Sequence, residues 1–417
     1  MKKALVVSAI ASNQGKTLLT MALLTHFKNN VRPFKIGPDF IDPQFHAKVA
    51  ATHSVNLDGY MMNQEQLEWM LHTYLDKDVG ICEGVMGFYD GMDKGSSAYD
   101  VAKMLAIPTL LLLDAGGSYI TIAAILKGML EFRDDNTIQV VVLNKVSSQM
   151  HFDLVKKHIE FECKGVVVAG WIEKNLPSIA SRHLGLDLEE LEVQELSSIA
   201  NDVLKHIDMR LLEIVMDIKV KKPLAYPFKK IVQEDEKCVL VYDKNFSFMY
   251  YDNIEYLKEL YSELVFVDST KDEVIPSDAD VVVIGGGYVE TDESYARIKD
   301  SKNFKTSLIT HANANKHIYA ECAGLIYLGK KIDDKAMSGI LDIEFKLGEK
   351  RARLGYYKSV SYTSQKITKG HAFHYSYITS APPAYAGLYK ISQKNMKDGG
   401  YKKGNIYGTY LHSMWRV

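Results

Sequence analysis

The residues of this chain whose types and spacing suit chemistry are a lysine and threonine directly after a glycine near the start and a lone cysteine at the end of an apolar run. Residues 4–9 are apolar and lead into Ala11-Ser12-Asn13-Gln14-Gly15-Lys16-Thr17, and a segment with helical spacing follows at once. A strand, a tight loop and a helix start form a phosphate cradle. Backbone N–H groups wrap the anion, Lys16 reaches its outer oxygens and Thr17 offers a hydroxyl to magnesium. Ile10 stands where the full G-x-x-x-x-G-K-[ST] pattern has its first glycine, so the motif alone is also compatible with a plain helix opening.

Two further loops point to the same edge. Lys35-Ile36-Gly37-Pro38-Asp39-Phe40-Ile41-Asp42-Pro43 follows an apolar strand, and open α/β sheets bind ligands at the carboxyl ends of their strands. Asp39 and Asp42 suit magnesium, a hard cation that takes oxygen ligands, although Asp-Pro is also ordinary turn chemistry. Residues 79–82 deliver Glu83 to that edge as another magnesium carboxylate. Asn144 ends the strand at residues 139–143, where its amide would read an adenine edge or serve as a plain loop asparagine. Tyr89-Asp90-Gly91 and Ser96-Ser97 read as turns by residue type alone.

In the second half, Ile318-Tyr319-Ala320-Glu321-Cys322-Ala323-Gly324 is a strand that breaks at Cys322 and enters a helix. A thiol on such a turn is held out of the sheet, and the helix dipole is expected to lower its pKa. Upstream, another strand ends in Gly285-Gly286-Gly287-Tyr288, where glycines let backbone N–H groups approach a reacting carbonyl as an oxyanion hole requires. A cysteine nucleophile needs an imidazole nearby in space, and His311, His317, His371, His374 and His412 are the candidates. A buried core thiol is the competing reading for Cys322, and nothing competes with it for Cys82, Cys163 and Cys238.

Positioning these groups takes regular scaffolding. In the first half, short Val/Leu/Ile runs at residues 4–9, 79–82, 109–113, 139–143 and 165–169 alternate with helical patterns at 17–27, 65–75 and 120–132. That alternation predicts a parallel sheet covered on both faces. Residues 188–218 read as helix. Two prolines and dense charge across residues 219–237 mark a linker, which divides the chain into domains 1–232 and 233–417. A second alternating series follows at 239–242, 253–260, 264–267, 280–284 and 317–320. Beyond about residue 338 the richness in Tyr, Gly and Thr suggests turns and antiparallel strands.

Composition removes whole classes of function. Hydrophobic residues at 47% supply a core and exclude disorder as the main state. Lys+Arg 50 against Asp+Glu 52 leaves a net charge of −2, so no basic field is aimed at nucleic acid or an anionic membrane. The longest nearly apolar run, residues 104–113, is too short for the ~20 residues of a membrane span. Four cysteines without a C-x-x-C pair fit a reducing cytoplasm.

Together these segments resemble the cobyrinic acid a,c-diamide synthase family of glutamine amidotransferases in cobalamin biosynthesis. The resemblance rests on Lys35 to Pro43 with Phe45-His46, Asn56-Leu57-Asp58, Glu83 to Gly91, and Arg182-His183-Leu184-Gly185-Leu186. It continues through Phe246-Ser247-Phe248, Gly286-Gly287-Tyr288, Ala320-Glu321-Cys322, Gly370-His371 with Phe373-His374, and Tyr410-Leu411-His412. It implies an α/β fold: an N-terminal P-loop NTPase-like, doubly wound parallel sheet and a C-terminal class I glutamine amidotransferase-like α/β domain.

The resemblance also implies that the first domain binds ATP and Mg²⁺ through Gly15, Lys16, Thr17 and Asn144, with Thr17, Asp39, Asp42 and Glu83 at the metal. That domain would phosphorylate the a and c acetate carboxylates of cobyrinic acid. Tyr89, Asp90, Ser96, Ser97, Arg182 and His183 are the candidates for tetrapyrrole contact. The second domain would hydrolyse L-glutamine, with Cys322 as nucleophile, His412 as its imidazole and Gly286-Gly287 at the oxyanion. Ala323 replaces a glycine usual in the family and Val289 a proline. Ser413-Met414 puts no acid two residues beyond His412, so no third triad member is assigned. Hydrogenobyrinate and nickel-sirohydrochlorin carry the same acetate arms and remain alternative substrates. A non-catalytic P-loop switch or scaffold is the alternative from another class. The expected setting is cytoplasmic, with no nucleic acid or membrane partner and a homodimer among the admissible assemblies.

Overall fold

In the computed structural model, residues 2–176, 193–391 and 395–417 are described, and the chain divides into two compact units, Met1–Phe228 and Lys229–Val417. The first unit begins with β1 (Lys2–Ala9), α1 (Lys16–His26), β2 (Val31–Ile36), α2 (Ile41–Ala50), β3 (Val55–Leu57), α3 (Gln64–Tyr74), β4 (Val79–Gly84) and α4 (Ala98–Leu105). It continues through β5 (Thr109–Asp114), α5 (Ile120–Glu131), β6 (Ile138–Val146), α6 (Gln149–Glu162) and β7 (Val167–Glu173). Among the described residues the sheet order is β3-β2-β4-β1-β5-β6-β7, all parallel. The apolar runs form these strands because both of their faces are covered: Leu5, Val7, Ile81, Leu112 and Val142 pack with Leu19 and Leu23 of α1 in one core. The chain winds one way from β1 to β2 and β3 and the other way through β5 to β7. The carboxyl ends of β1, β2 and β4 therefore meet at the switch point where such sheets take ligands.

Residues 188–218 do not form one helix. Of this stretch, 188–192 lie outside the described residues, and the rest divides into α7 (Val193–Leu204), β8 (His206–Ile207), α8 (Met209–Val215) and β9 (Asp217–Ile218). Tertiary pairing overrides the helical pattern. β8 adds antiparallel to β7, where the His206 ring stacks on Trp171 at 4.0 Å, and β9 adds antiparallel to β1. Asp208 then restarts the helix by accepting the Leu211 N–H at 3.0 Å.

The second unit opens with β10 (Glu234–Val241), α9 (Tyr251–Leu260), β11 (Tyr261–Val267), β12 (Val281–Ile284), α10 (Asp292–Ile298), α11 (Lys302–Asn313), β13 (His317–Glu321) and α12 (Ala323–Leu328). The remainder is strand-rich: β14 (Lys331–Ile332), β15 (Lys335–Ala336), β16 (Glu344–Leu347), β17 (Arg353–Ser361), β18 (Ile367–His374), β19 (Ser376–Ser380), β20 (Ala386–Lys390), β21 (Met396–Lys403) and β22 (Ile406–Thr409). Its main sheet runs β11-β10-β12-β13-β22-β21-β20-β17-β18, parallel as far as β22 and antiparallel beyond it. The charged run from Gln233 to Lys237, read above as linker, enters β10 at Glu234, since the Lys237 N–H finds Asp280 at 2.9 Å and its ammonium finds Asp278. Among the described residues no helix is long and apolar enough to cross a membrane.

Candidate active site

The loop between β1 and α1 is closed by Gly15, whose φ of +94° suits glycine, and the Leu19 N–H donates to its carbonyl at 3.1 Å. Lys16 curls back over this loop and donates to the Ala11 carbonyl at 2.8 Å. Burial draws its ammonium down to about 8, partly opposed by Glu83, Asp42 and Asp90. Asn144 is turned toward the loop. Its amide donates to the Gln14 carbonyl at 2.8 Å and accepts from its own neighbour's N–H, so it braces the phosphate loop instead of presenting a free edge to a base.

Parallel pairing sets Glu83 of β4 level with Lys35 of β2 and Val7 of β1. Thr17 donates its hydroxyl to Glu83 Oε1 at 2.7 Å, and Lys35 Nζ lies 3.2 Å from the same oxygen. Asp42 and Asp39 close on the same ammonium at 2.5 and 3.3 Å. Burial alone would lower Lys35, but Asp42, Glu83 and Asp39 hold it well above the ordinary lysine value. Burial likewise disfavours charge on Glu83, yet Lys35 and His46 keep it well below the usual carboxylate range. Three carboxylates thus surround one ammonium, with Lys16 beside them.

Residue types and spacing left out His46. Its Nε2 meets Glu83 Oε2 at 2.8 Å and its Nδ1 meets Ser54 at 3.3 Å. One signal was present: His46 lies four residues after Asp42, so a helix starting at Ile41 puts both on one face. Asp39 and Asp42, expected at a metal, have their oxygens on Lys35, and among the described residues no three His, Cys, Asp or Glu side chains are arranged to hold an ion. Of the tetrapyrrole candidates, Tyr89 donates to the Met129 carbonyl, Asp90 accepts the Gly87 N–H, Ser96 donates to the Gly91 carbonyl, and Ser97 caps α4. Each is tied into local structure. Arg182 and His183 lie outside the described residues.

Cys322 sits between β13 and α12 at φ +50°, ψ −105°, an uncommon backbone conformation for a residue with a Cβ. Two backbone bonds hold the elbow: the Cys322 N–H donates to the Thr409 carbonyl at 2.7 Å and the Gly324 N–H to the Gly285 carbonyl at 3.2 Å. The ends of β12, β13 and β22 are thereby gathered around the sulfur. The backbone N–H groups of Gly287 and Ala323 reach that sulfur. Gly286 plays a different part from the one expected, because its N–H is bonded to the Phe248 carbonyl at 3.2 Å. Its lack of a side chain makes room for His412: a Cβ on Gly286 would stand 2.2 Å from the imidazole Cε1. The N–H groups that face the Cys322 sulfur are therefore those of Gly287 and Ala323. We expect Gly286→Ala to cost roughly 10²-fold in glutamine hydrolysis, the scale of an ångström-sized misplacement, with ammonia-driven turnover intact in the same assay.

His412 follows β22 and is fixed by a reciprocal pair of backbone bonds with His371, both 2.8 Å. Burial, with His371 and His374 nearby, draws its imidazole down to about 3, so the ring is neutral. His317 starts β13 at the end opposite Cys322, and His311 bonds the His317 carbonyl. Burial pushes the Cys322 thiol well up from its ordinary value. The lowering expected from the helix dipole is overridden by desolvation.

Comparison with known proteins agrees with this geometry. Residues 5–185 match the CobQ/CobB/MinD/ParA nucleotide binding domain, and residues 237–416 match the CobB/CobQ-like glutamine amidotransferase domain. A Fusobacterium nucleatum protein named cobyrinate a,c-diamide synthase is 34% identical, covering 98% of this chain and 97% of its own. Proteins of the same name from Saccharolobus solfataricus and Caldanaerobacter subterraneus are 35% and 32% identical, covering 98% and 99% of this chain and 97% and 95% of their own. With a nucleotide-binding unit, a glutaminase unit and relatives matched from end to end, the chain belongs to the cobyrinate a,c-diamide synthase family.

Proposed function

We propose that the protein uses ATP and glutamine to convert the a and c acetate carboxylates of cobyrinate into carboxamides. The observation that supports this reading is two side-chain clusters in one chain: Lys16 and Thr17 gathered at Glu83, and Cys322 with the Gly287 and Ala323 N–H groups on its sulfur and His412 packed against Gly286. A carboxylate is a poor acyl donor because oxide is a poor leaving group. Its oxygen therefore attacks the γ-phosphorus, the bond to the β-phosphate oxygen breaks, and an acyl phosphate and ADP result. Such a transfer asks for positioning and charge neutralisation more than for covalent help from the protein. Lys16 and the loop N–H groups supply both.

Magnesium, when bound, would neutralise phosphate charge there. Thr17 and Glu83 are hard oxygen donors whose reach suits it, and a cation that keeps several waters needs few protein ligands. Asp39 and Asp42 keep Lys35 protonated behind Glu83.

At the second centre His412 takes the Cys322 proton as the sulfur attacks the glutamine carboxamide carbon. Gly287 and Ala323 N–H groups receive the developing oxyanion. The nitrogen leaves as ammonia with the proton returned by His412, and water then releases glutamate from the thioester. Ammonia attacks the acyl phosphate and phosphate leaves. Incubation of the purified protein with ATP, Mg²⁺ and glutamine plus cobyrinate, hydrogenobyrinate or nickel-sirohydrochlorin tests the reading. Mass spectrometry should find two successive carboxyl-to-carboxamide changes on cobyrinate, with one ADP formed for each. Product from another macrocycle alone would reassign the substrate, and glutamine left intact under all conditions would make the chain a non-catalytic member of its family.

A further inference from the structure

We propose that Glu321 is the positioning acid of the glutaminase, the third member of a triad whose carboxylate is supplied from the residue just before the nucleophile. The proposal rests on the glutaminase reading given above. Class I-type glutaminases that orient their histidine with an acid need it within reach of the imidazole, and Ser413-Met414 offers none. Glu321 ends β13 and is buried, and its Oε2 lies 3.7 Å from His412 Nδ1.

The other oxygen is clamped. Oε1 accepts from the Tyr319 hydroxyl at 2.8 Å, the Trp415 indole N–H at 3.0 Å, the Ser413 hydroxyl at 3.3 Å and the Ser413 N–H at 3.4 Å. An arrangement that ties one carboxylate oxygen with four donors leaves the second pointing in a single direction, toward the histidine. The donors are themselves held. Asn253 of α9 donates to the Ser413 carbonyl and accepts the Trp415 N–H, while Arg416 is locked between Asp252 and Glu259 of the same helix. The C-terminal residues that follow His412 thus form a brace whose inward face is this carboxylate.

The chemistry suits a positioning role. When Cys322 gives up its proton, His412 becomes an imidazolium in a buried site where burial and two other histidines disfavour that charge. An adjacent carboxylate offsets the penalty and fixes which ring nitrogen faces the sulfur. Burial raises the Glu321 carboxyl to about 7, against the donors of Tyr319, Trp415 and Ser413. It is therefore charged above neutrality and uncharged below, while His412 is already neutral throughout that range. The other titratable groups facing this pair are Tyr319 on its own strand, Tyr407 on β22, His371 and His374 on β18, and Cys322, with Glu290 facing the sulfur.

The test follows glutamate release from glutamine across pH 5.5–9 for wild type, Glu321→Gln and Glu321→Asp. In the same preparations, ammonia-dependent amidation is measured and thermal unfolding followed by circular dichroism. We expect Glu321→Gln to lower kcat by roughly 10²-fold, the lower end of what acid–base assistance contributes, with KM within about twofold of wild type. The acid limb near pH 7 should vanish from the profile, and amidation from ammonia should be unchanged. Glu321→Asp, one methylene shorter, should retain the limb at intermediate kcat. A Glu321→Gln enzyme with wild-type kcat, or one that loses activity with its limb still in place, overturns the proposal and leaves the glutaminase reading standing. If Glu321→Gln lacks a cooperative unfolding transition, Glu321→Asp decides: limb kept with reduced kcat supports the role, limb lost with kcat intact overturns it. A wild-type protein that releases no glutamate overturns both.

Discussion

Cys322→Ala is expected to remove glutamine-supported product by on the order of 10⁴-fold or more, the scale at which loss of a covalent nucleophile is felt, while ammonium salts continue to sustain synthesis. The thioester cannot form without the sulfur, and no other thiol can stand in. Cys82, Cys163 and Cys238 are buried; burial pushes Cys82 up to about 12, and burial with the charge of Glu236 does the same to Cys238. The substitution is mild for the fold. Alanine keeps the Cβ that this φ of +50° already carries, and the two bonds that hold the elbow are made by backbone atoms alone. Product quantified by mass spectrometry with glutamine or ammonium as the nitrogen source reads the result directly. A folded variant that loses both activities would mean that the two centres are not chemically separable.

Lys16→Ala is expected to lower amide synthesis from either nitrogen source by about 10²–10³-fold, comparable to removing one preorganised charge from a transition state. Cys322 should keep its capacity to hydrolyse glutamine. Among the described residues Lys16 donates to the Ala11 carbonyl, a bond that a phosphate oxygen would exchange for a charge-assisted one. The lowered Lys16 value of about 8 has the same origin: the ammonium lies in a buried site with Lys35 close by, and an incoming triphosphate would restore its preference for charge. ADP release with cobyrinate and ammonium present measures the loss. Wild-type ADP formation by the variant would place phosphoryl transfer elsewhere in the chain.

The parts of this molecule that were legible from residue order are those in which local pattern and chemistry coincide. Gly15-Lys16-Thr17 is a contiguous loop between an apolar run and a helix, and Cys322 interrupts a strand that the buried Ile318 and Ala320 announce. Their geometry follows from neighbours only a few residues away. What escaped depends on distant pairing. Glu321 adjoins Cys322 in sequence, yet apart from Tyr319 its partners come from beyond residue 411, brought alongside when β22 adds to β13. An acid at the end of a buried strand was the available sign. The roles of Gly286 and Gly287 separate only because Phe248 claims one of the two N–H groups. The helical reading of 188–218 failed for a similar reason, since Ile207 and Ile218 fit a helix stripe as well as they fit the sheet edges that they occupy.

The sulfur of Cys322 is buried, and desolvation favours its neutral thiol form. Peroxide and electrophiles react with thiolates far faster than with thiols. An enzyme waiting between turnovers therefore presents almost none of the form that oxidation consumes. The same desolvation that makes this thiol hard to ionise also acts as its preservative.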